Sequence, residues 1–306
     1  MKIVVTPPAF CKSENLKSKL SSLFPNTVYN DKNDYLTESE LIAFLKDADA
    51  AIIGRDPVTK ATLEALPQLK VISKYGVGLD NLDIPSIKEK GVELAVTAGT
   101  NKRSVAELTL SFMLGLCHRT FIGAERIKCG EWIREGGHDL SGKTIGIIGC
   151  GNVGKEVVQL LKPFGCEILI RDIEDRSEFC REQRATESSF EALIENSDIV
   201  TLHVPLTDLT RDMIDEAILK KMQANAYLIN TSRGPVVSPS ALHEALVSGE
   251  ISGAALDVFC SEPPNDMEFL QLPNLMVTPH IGGNSVEAVE AMGQAAIDNL
   301  VAFLKK

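Results

Sequence analysis

The sequence predicts an α/β fold built from two doubly wound parallel sheets. In both halves of the chain, short apolar runs alternate with segments of helical periodicity, as in parallel strands joined by crossover helices. Between the halves, a glycine-rich turn separates an apolar run from an amphipathic helix. With 306 residues, the chain is long enough for two domains that each bury a core. We therefore expect two α/β domains.

Residues 1–100 read as the first of these domains. Helical segments separate the apolar runs, and Thr37 with Glu40 forms a capping box at the start of one helix. The runs that we predict as strands are Ile3 to Val5, Thr27 to Tyr29, Ala50 to Ile53, Val71 to Ser73 and Glu93 to Val96. Regular alternation of this kind predicts a parallel sheet covered by helices.

A long apolar helix is predicted after the first domain. Ser104 with Glu107 forms a second capping box, which places the start of this helix at Ser104. The helix is apolar on nearly every side, so it must be buried, either between two domains or between two subunits. A polar stretch from Arg134 to Gly142 then leads into the glycine-rich turn.

The glycine-rich turn, Gly149 to Gly154, has the pattern G-x-G-x-x-G and follows the predicted strand Thr144 to Ile148. Gly149 permits a tight turn, Gly151 lets the backbone approach a pyrophosphate, and Gly154 lets the helix pack closely on the strand. The positive end of the helix dipole then faces the anion. This context predicts a dinucleotide site.

An acidic residue stands where such a site needs one. Asp172 ends the next predicted strand, Glu167 to Ile170, where a carboxylate accepts hydrogen bonds from the adenosine ribose. The same carboxylate would repel a 2′-phosphate, so we predict NAD as the cofactor. Arg171 and Arg176 weaken the exclusion of NADP, because either could reach such a phosphate.

Four more strands are predicted downstream, and ligands of open α/β sheets bind beyond the carboxyl ends of strands. These runs are Ile199 to His203, Ala226 to Asn230, Gly253 to Leu256 and Leu275 to Val277. Three polar residues follow the last three strands in turn, namely Arg233, Glu262 and His280. Taken one at a time, each residue has an ordinary structural explanation. Arg233 could be a surface arginine, Glu262 a solvated loop acid, and His280 a helix cap or a hydrogen-bonded core histidine. After successive strands of one sheet, they indicate a catalytic site.

These three side chains suit the reduction of a 2-oxo acid. A guanidinium such as Arg233 binds a carboxylate and polarises the adjacent ketone. An imidazole such as His280 supplies a proton to the developing alkoxide near neutral pH. A carboxylate such as Glu262 orients the imidazole and favours its protonated form.

At this point the chain resembles the D-isomer-specific 2-hydroxyacid dehydrogenase family, which includes phosphoglycerate dehydrogenases. The matching words are Tyr75 to Asn81, Val105 to Thr109, Gly149 to Gly154, His203 to Thr207, Asn230 to Gly234, Leu256 to Phe259, Glu262-Pro263 and Pro279 to Gly282. The resemblance implies a flavodoxin-like substrate domain, residues 1–100 and 283–306, with a Rossmann NAD-binding domain, residues 101–282, inserted into it. It also implies a homodimer joined through the cofactor domains. Because the sequence stops at Lys306, directly after the predicted last helix, we expect it to lack the regulatory extension of some phosphoglycerate dehydrogenases.

The resemblance also implies roles for single residues. Val77 and Gly78 would hold the substrate carboxylate through their backbone. Asp257 would bind the nicotinamide amide. The structural alternative is that Asp257 only braces its loop. The cofactor contacts implied are Gly149, Gly151, Asn152, Val153, Gly154, Asp172, His203, Pro205, Thr207, Thr231, Ser232 and Asp257.

The expected activity is NAD-dependent interconversion of a D-2-hydroxy acid and its 2-oxo acid. Arg55 and Lys74 end or follow strands of the first domain, which predicts a second anionic group such as the phosphate of 3-phosphohydroxypyruvate. If both are instead solvated charges at the rim of the cleft, the expected substrate is hydroxypyruvate or glyoxylate. The alternative function from a different class is a nucleotide-sensing corepressor, but a sensor does not need a general acid such as His280. Formate dehydrogenases carry glutamine in place of Glu262.

Composition excludes other classes of partner. The net charge is −11 without a basic run, which argues against nucleic acid and anionic membranes. The seven cysteines include no C-x-x-C pair, so we expect neither disulfides nor a metal site, and a cytoplasmic location. The apolar run at Met1 to Val5 is too short for a signal peptide.

Overall fold

The computed structural model describes residues 1–305, in which strands and helices alternate along the chain. The strands are β1 (Ile3–Val5), β2 (Thr27–Tyr29), β3 (Ala50–Ile53), β4 (Val71–Lys74), β5 (Glu93–Ala95), β6 (Thr144–Ile148), β7 (Glu167–Arg171), β8 (Thr186–Glu187), β9 (Ile199–Leu202), β10 (Tyr227–Asn230), β11 (Gly253–Leu256) and β12 (Leu275–Val277). The helices are α1 (Pro8–Lys12), α2 (Glu14–Leu23), α3 (Glu38–Leu45), α4 (Lys60–Ala65), α5 (Ile84–Glu89), α6 (Lys102–Cys117), α7 (Thr120–Lys128), α8 (Asn152–Leu161), α9 (Ser177–Gln183), α10 (Phe190–Asn196), α11 (Glu216–Leu219), α12 (Pro239–Ser248), α13 (Met267–Leu270) and α14 (Val286–Leu304).

The chain forms two compact units. Unit 1 contains residues 1–104 and the C-terminal stretch from Gly283, and unit 2 contains residues 105–282. The boundary expected after residue 100 therefore falls a few residues later, in the first turn of α6. That helix begins at Lys102, so the capping box predicted to start it at Ser104 is wrong.

Unit 1 is built on a five-stranded parallel sheet with the order β2-β1-β3-β4-β5, the flavodoxin-like order that was predicted. Alternate residues of its strands point to opposite faces, and each face is covered by a separate apolar core. Met292, Ala296 and Leu300 of α14 pack into the core that also contains Ile3 and Val71. The last helix therefore completes the N-terminal domain.

Unit 2 is built on a seven-stranded parallel sheet with the order β12-β11-β10-β9-β6-β7-β8. The crossovers run in one direction from β6 to β8 and in the other from β9 to β12, so the strand order reverses between β6 and β9. In doubly wound folds, this reversal opens a crevice at the carboxyl ends of the strands. Both predicted sheets are thus confirmed.

The apolar helix α6 lies against the sheet of unit 2. Phe112, Met113 and Leu116 are at most 2% exposed and pack with Ile145 and Val157. Within residues 1–305, no single helix is long and apolar enough to cross a membrane. Helices α6 and α7 taken together have the length and apolar composition of a membrane span, but they are bent by 65° relative to each other.

Candidate functional site

The glycine turn lies at the strand-order reversal of unit 2. Gly149 has φ +90°, and a Cβ there would lie 2.6 Å from the carbonyl oxygen of His203, at the end of the neighbouring strand β9. A Cβ at Gly154 would lie 2.2 Å from the carbonyl oxygen of Gly149. These two positions therefore accept only glycine, one for the turn and one for the helix that follows.

Gly151 differs from the other two glycines of the turn. A Cβ there would meet no atom within 4 Å, and the residue caps α8 without a side-chain hydrogen bond. Asn152 and Val153 form the first turn of α8, whose backbone N–H groups point out of the helix. The open surface in front of this turn suits the pyrophosphate of a dinucleotide, so the residues present fit NAD.

Asp172 joins the end of β7 to the glycine turn. Its Oδ2 accepts a hydrogen bond from the backbone N–H of Cys150 at 2.6 Å, and its Oδ1 accepts one from Glu174 at 3.0 Å. Burial alone would raise the pKa of Asp172, but these two N–H groups and the Arg176 guanidinium lower it below the ordinary value. Asp172 is therefore a carboxylate at the position where the adenosine ribose is expected.

The loop after β9 carries three of the predicted cofactor contacts. Burial of its ring lowers the pKa of His203 to about 3, so the imidazole is neutral, and its Nε2 lies 3.1 Å from the hydroxyl of Thr201. The loop beyond is ordered by Thr210, whose hydroxyl donates to the carbonyl of Pro205 at 2.6 Å and accepts from the N–H of Thr207 at 2.8 Å. Pro205 and Thr207 themselves are exposed.

The loop after β10 presents Arg233. Asn230 holds this loop, because its amide donates to the carbonyl of Arg233 at 2.8 Å and its Oδ1 accepts from the hydroxyl of Ser232 at 2.8 Å. Thr231 lies 3.0 Å from the Thr109 hydroxyl. Thr231 and Ser232 are both 8% exposed. Asn230 was not predicted as a supporting residue, although an asparagine at a strand end is a typical turn former.

Asp257, after β11, braces the loop that carries His280. The residue is 1% exposed. Its Oδ1 accepts from the Thr278 hydroxyl at 2.6 Å and from the Ile281 N–H at 2.8 Å, and its Oδ2 accepts from the Gly282 N–H at 2.8 Å. These contacts match the loop-bracing alternative, and the nicotinamide role of Asp257 stays a prediction. Thr278 was also missed by sequence reasoning.

His280 and Glu262 form a hydrogen-bonded pair, which joins the loops after β12 and β11. His280 Nδ1 lies 2.8 Å from Oε2 and 3.0 Å from Oε1 of Glu262, and Glu262 Oε1 also accepts from the N–H of Phe259 at 3.1 Å. The two side chains are 27% and 19% exposed, so the pair remains open on one side. The ionised carboxylate only accepts, so the imidazole carries hydrogen on Nδ1 and turns Nε2 elsewhere.

Strand order brings Arg233, Glu262 and His280 to one edge of the sheet, since β10, β11 and β12 are neighbours. The close approach of two of these loops requires Gly234, where a Cβ would lie 2.0 Å from the carbonyl carbon of Phe259. A cation, an oriented imidazole and its carboxylate partner thus follow three adjacent parallel strands. Such a set can bind an anionic carbonyl compound and give it a proton.

The predicted substrate residues lie in unit 1. Lys74 is only 4% exposed, and its Nζ donates to the carbonyl of Gly54 and to Asn81 Oδ1, the latter at 3.1 Å. Asn81 also donates to the carbonyl of Asp56 at 2.6 Å. Lys74 and Asn81 therefore tie together the loops that follow β3 and β4. The phosphate role predicted for Lys74 stays a prediction that these contacts do not favour.

Arg55 and the substrate loop complete the set in unit 1. The exposed Arg55 guanidinium lies 5.1 Å from the centre of the Tyr35 ring, within cation–π distance. Val77 and Gly78 are partly exposed in the loop after β4, which Asn81 anchors. The carboxylate-binding role of Val77 and Gly78 stays a prediction from the resemblance.

Comparison with known proteins agrees with these features. Residues 110–282 match the family model described as D-isomer specific 2-hydroxyacid dehydrogenase, NAD binding domain. A glyoxylate reductase of Thermofilum pendens is 38% identical over 287 residues, which cover 91% of this chain and 85% of the relative. A hydroxypyruvate reductase of Thermotoga maritima is 34% identical over 275 residues, covering 88% and 89%. A D-3-phosphoglycerate dehydrogenase of Methanocaldococcus jannaschii is 38% identical over 275 residues, covering 88% of this chain and 52% of the relative.

Solved structures show the same fold over the full chain. A glyoxylate reductase from Paecilomyes thermophila superposes with a TM-score of 0.88 at 26% identity, covering 100% of this chain and 96% of the other. A D-lactate dehydrogenase from Aquifex aeolicus, solved with NAD and lactic acid, has a TM-score of 0.86 at 27% identity, covering 99% and 96%.

Proposed function

Because the chain belongs to the D-isomer specific 2-hydroxyacid dehydrogenase family, we propose that it reduces a small, unphosphorylated 2-oxo acid such as glyoxylate or hydroxypyruvate. It is an NAD-dependent oxidoreductase of 2-hydroxy acids. The observation that carries the proposal is the hydrogen bond between His280 and Glu262, whose loops follow two strands next to the one that presents Arg233. Relatives named glyoxylate reductase and hydroxypyruvate reductase support the choice of acid.

Each residue of the site has a defined task in this reaction. Bound NADH supplies the hydride. Arg233 binds the substrate carboxylate and withdraws electron density from the ketone. His280 donates the Nε2 proton to the oxygen that becomes the hydroxyl, and Glu262 holds the ring through Nδ1 and stabilises its positive charge. In the oxidation of a 2-hydroxy acid, the same proton returns to His280.

The contacts of the basic residues in unit 1 favour an unphosphorylated substrate. The Lys74 ammonium is only 4% exposed and donates to the Gly54 carbonyl and to Asn81, so it presents little surface and few of its three N–H donors to a phosphate. Arg55 lies over the Tyr35 ring. A phosphate site normally presents several donors that are not already engaged in structural contacts.

The test is a panel of 2-oxo acids with NADH, in which the loss of NADH absorbance gives kcat/KM for each acid. We expect glyoxylate or hydroxypyruvate to exceed 3-phosphohydroxypyruvate by roughly tenfold or more, about 1.4 kcal/mol in transition-state binding. Lys74→Ala should leave the ratio of kcat/KM between the two hydroxypyruvates unchanged, even if it lowers both values. A wild-type preference for the phosphorylated acid that Lys74→Ala abolishes would establish the phosphoglycerate dehydrogenase reaction instead.

We also propose that the protein is a cytoplasmic homodimer. Helix α7 buries none of its residues, and in the segment that follows it Trp132 is 77% and Ile133 is 47% exposed. A second copy of the chain is the occupant that we propose for this apolar surface, as expected from the family resemblance. All seven cysteines are unpaired, which supports a reducing compartment.

A further inference from the structure

Lys74, the last residue of β4, is a buried cation that has no task in the proton transfer. The residue is 4% exposed, and its Nζ donates to the carbonyl of Gly54 and to Asn81 Oδ1, the latter at 3.1 Å. Burying an ammonium is unfavourable unless hydrogen bonds replace its hydration, and an apolar side chain of similar length fills the same space without that cost. The need for its N–H donors therefore explains a lysine here better than packing does.

The two acceptors of Lys74 lie on different loops of unit 1. Gly54 follows β3 and is tightly enclosed, because a Cβ there would lie 2.8 Å from Cε1 of the Tyr35 ring. Asn81 lies at the end of the loop that follows β4. Its amide donates to the carbonyl of Gly54 at 3.1 Å and to the carbonyl of Asp56 at 2.6 Å. Lys74 and Asn81 together thus attach the end of one loop to an enclosed part of the other.

The loop that is attached in this way is the one expected to hold the substrate carboxylate. At its start, the Tyr75 N–H donates to the Ile53 carbonyl at 2.9 Å, and its other end is Asn81. Between these ends, the N–H groups of Val77 and Gly78 donate to no protein acceptor within residues 1–305. Two such N–H groups in a loop that is fixed at both ends bind an anion without first having to be ordered.

We propose that Lys74 and Asn81 are positioning residues for the 2-oxo acid, because they fix the loop whose N–H groups at Val77 and Gly78 receive its carboxylate. The inference rests on the proposed function but not on the choice of acid, since every 2-oxo acid carries this carboxylate. Without the Lys74 ammonium, the loop has to be ordered when the substrate binds, which lowers the affinity. The proton transfer by His280 is unaffected.

The experiment compares Lys74→Met with the wild type in steady-state kinetics, using NADH and whichever 2-oxo acid the wild type reduces best. Methionine keeps an unbranched apolar side chain and removes the three donors. We expect KM for the acid to rise by roughly tenfold or more and kcat to change by less than about threefold, the pattern of lost substrate binding. The Kd for NADH, titrated without acid, should match that of the wild type.

Two more variants test the attachment. Lys70→Met makes the same change just before β4, where the lysine side chain is 62% exposed and pairs with Asp49, and it should leave KM unchanged. Asn81→Ala removes the other half of the attachment and should raise KM as Lys74→Met does. The double variant should exceed the larger single effect by less than about threefold, because the two residues act as one unit.

Three results would overturn the positioning role. A lower kcat with unchanged KM in Lys74→Met means that Lys74 only stabilises the fold, because a smaller active fraction lowers turnover alone. A wild-type KM in Asn81→Ala refutes the attachment, even if Lys74→Met does not fold. A loss in Lys74→Met that is confined to 3-phosphohydroxypyruvate makes Lys74 a phosphate ligand. An error in the choice of acid shows differently, as a preference of the wild type for the phosphorylated acid.

Discussion

At the scale of single residues, the chemistry depends on which nitrogen of His280 faces the substrate. Glu262 contacts Nδ1 through both carboxylate oxygens, at 2.8 and 3.0 Å, so Nε2 is the nitrogen that can exchange a proton. His280 has φ +54°, a left-handed conformation that is uncommon outside glycine, and its N–H donates to the Thr278 carbonyl at 3.0 Å. The backbone and the carboxylate together orient the ring.

The first prediction concerns this pair. His280→Ala should lower kcat for reduction by roughly 100-fold or more, the usual effect of losing a general acid. Glu262→Gln keeps a hydrogen-bond acceptor but removes the charge that stabilises the imidazolium, so the pH–rate profile for reduction should shift to lower pH. Steady-state kinetics across a pH series measure both. Near wild-type turnover by His280→Ala would remove His280 from the mechanism.

His203 predicts a pH dependence of stability. Burial lowers its pKa to about 3 in the folded protein, below the ordinary value of 6.5. Between these values the unfolded chain binds a proton and the folded chain does not, so stability falls as the pH drops from 6.5 toward 3. We expect His203→Gln to reduce the loss of unfolding free energy between neutral pH and about pH 4.5 by roughly 1–3 kcal/mol.

Denaturant unfolding at several pH values measures this effect, and His118→Gln is the control because His118 is exposed. Equal pH dependence in wild type and His203→Gln would mean that the buried imidazole does not contribute.

At the scale of elements, Asp257 holds together the loops that carry Arg233, Glu262 and His280. Asp257 accepts three hydrogen bonds from the segment Thr278 to Gly282, and its own N–H donates to the Asn230 carbonyl at 3.0 Å. The loops after β10, β11 and β12 are therefore one connected structure. A small shift in any of them moves His280 relative to Arg233.

Asp257→Asn should weaken this connection between the loops. The amide nitrogen would face an N–H donor, so the unfolding free energy should fall by about 1–3 kcal/mol and kcat by roughly tenfold or more. Thr278→Val removes only the hydroxyl donor and serves as the comparison. If Asp257 only braces the loop, both variants should keep the wild-type Kd for NAD. Weaker NAD binding in Asp257→Asn alone would assign the residue to the nicotinamide amide.

At the scale of the whole molecule, unit 2 carries the apolar surface of α7, Trp132 and Ile133 that we expect to form the dimer interface. Sedimentation should show a dimer at micromolar concentration. Trp132→Asp should shift it toward the monomer, because a charge would be buried without a partner in the interface. Val247→Asp replaces another apolar residue, 65% exposed on α12, and should leave the dimer intact. A monomeric wild type with full activity would refute the dimer.

Local features of the sequence were enough to predict both sheets and much of the site. The capping box of Thr37 with Glu40 depends on contacts within a few residues, and the glycine turn and the strands are marked by local sequence patterns. Residues after parallel strands share one sheet edge, which is why Arg233, Glu262 and His280 could be grouped from their positions alone. The predicted start of α6 was wrong by two residues, because the helix already begins at Lys102 and Ser104 lies inside its first turn.

The sequence by itself determined the fold class and the nucleotide-binding turn, and it predicts the acid–base residues, since each depends on local periodicity or on a position after a strand end. Only the tertiary structure decided the partners of the charged side chains. Lys74 was expected to face a ligand, yet its ammonium is bonded to the Gly54 carbonyl, and Arg176 was considered only as a group that could reach a 2′-phosphate, yet it lies 3.2 Å from Asp172. Contacts between loops of different strands depend on strand order and packing, which no short stretch of sequence encodes.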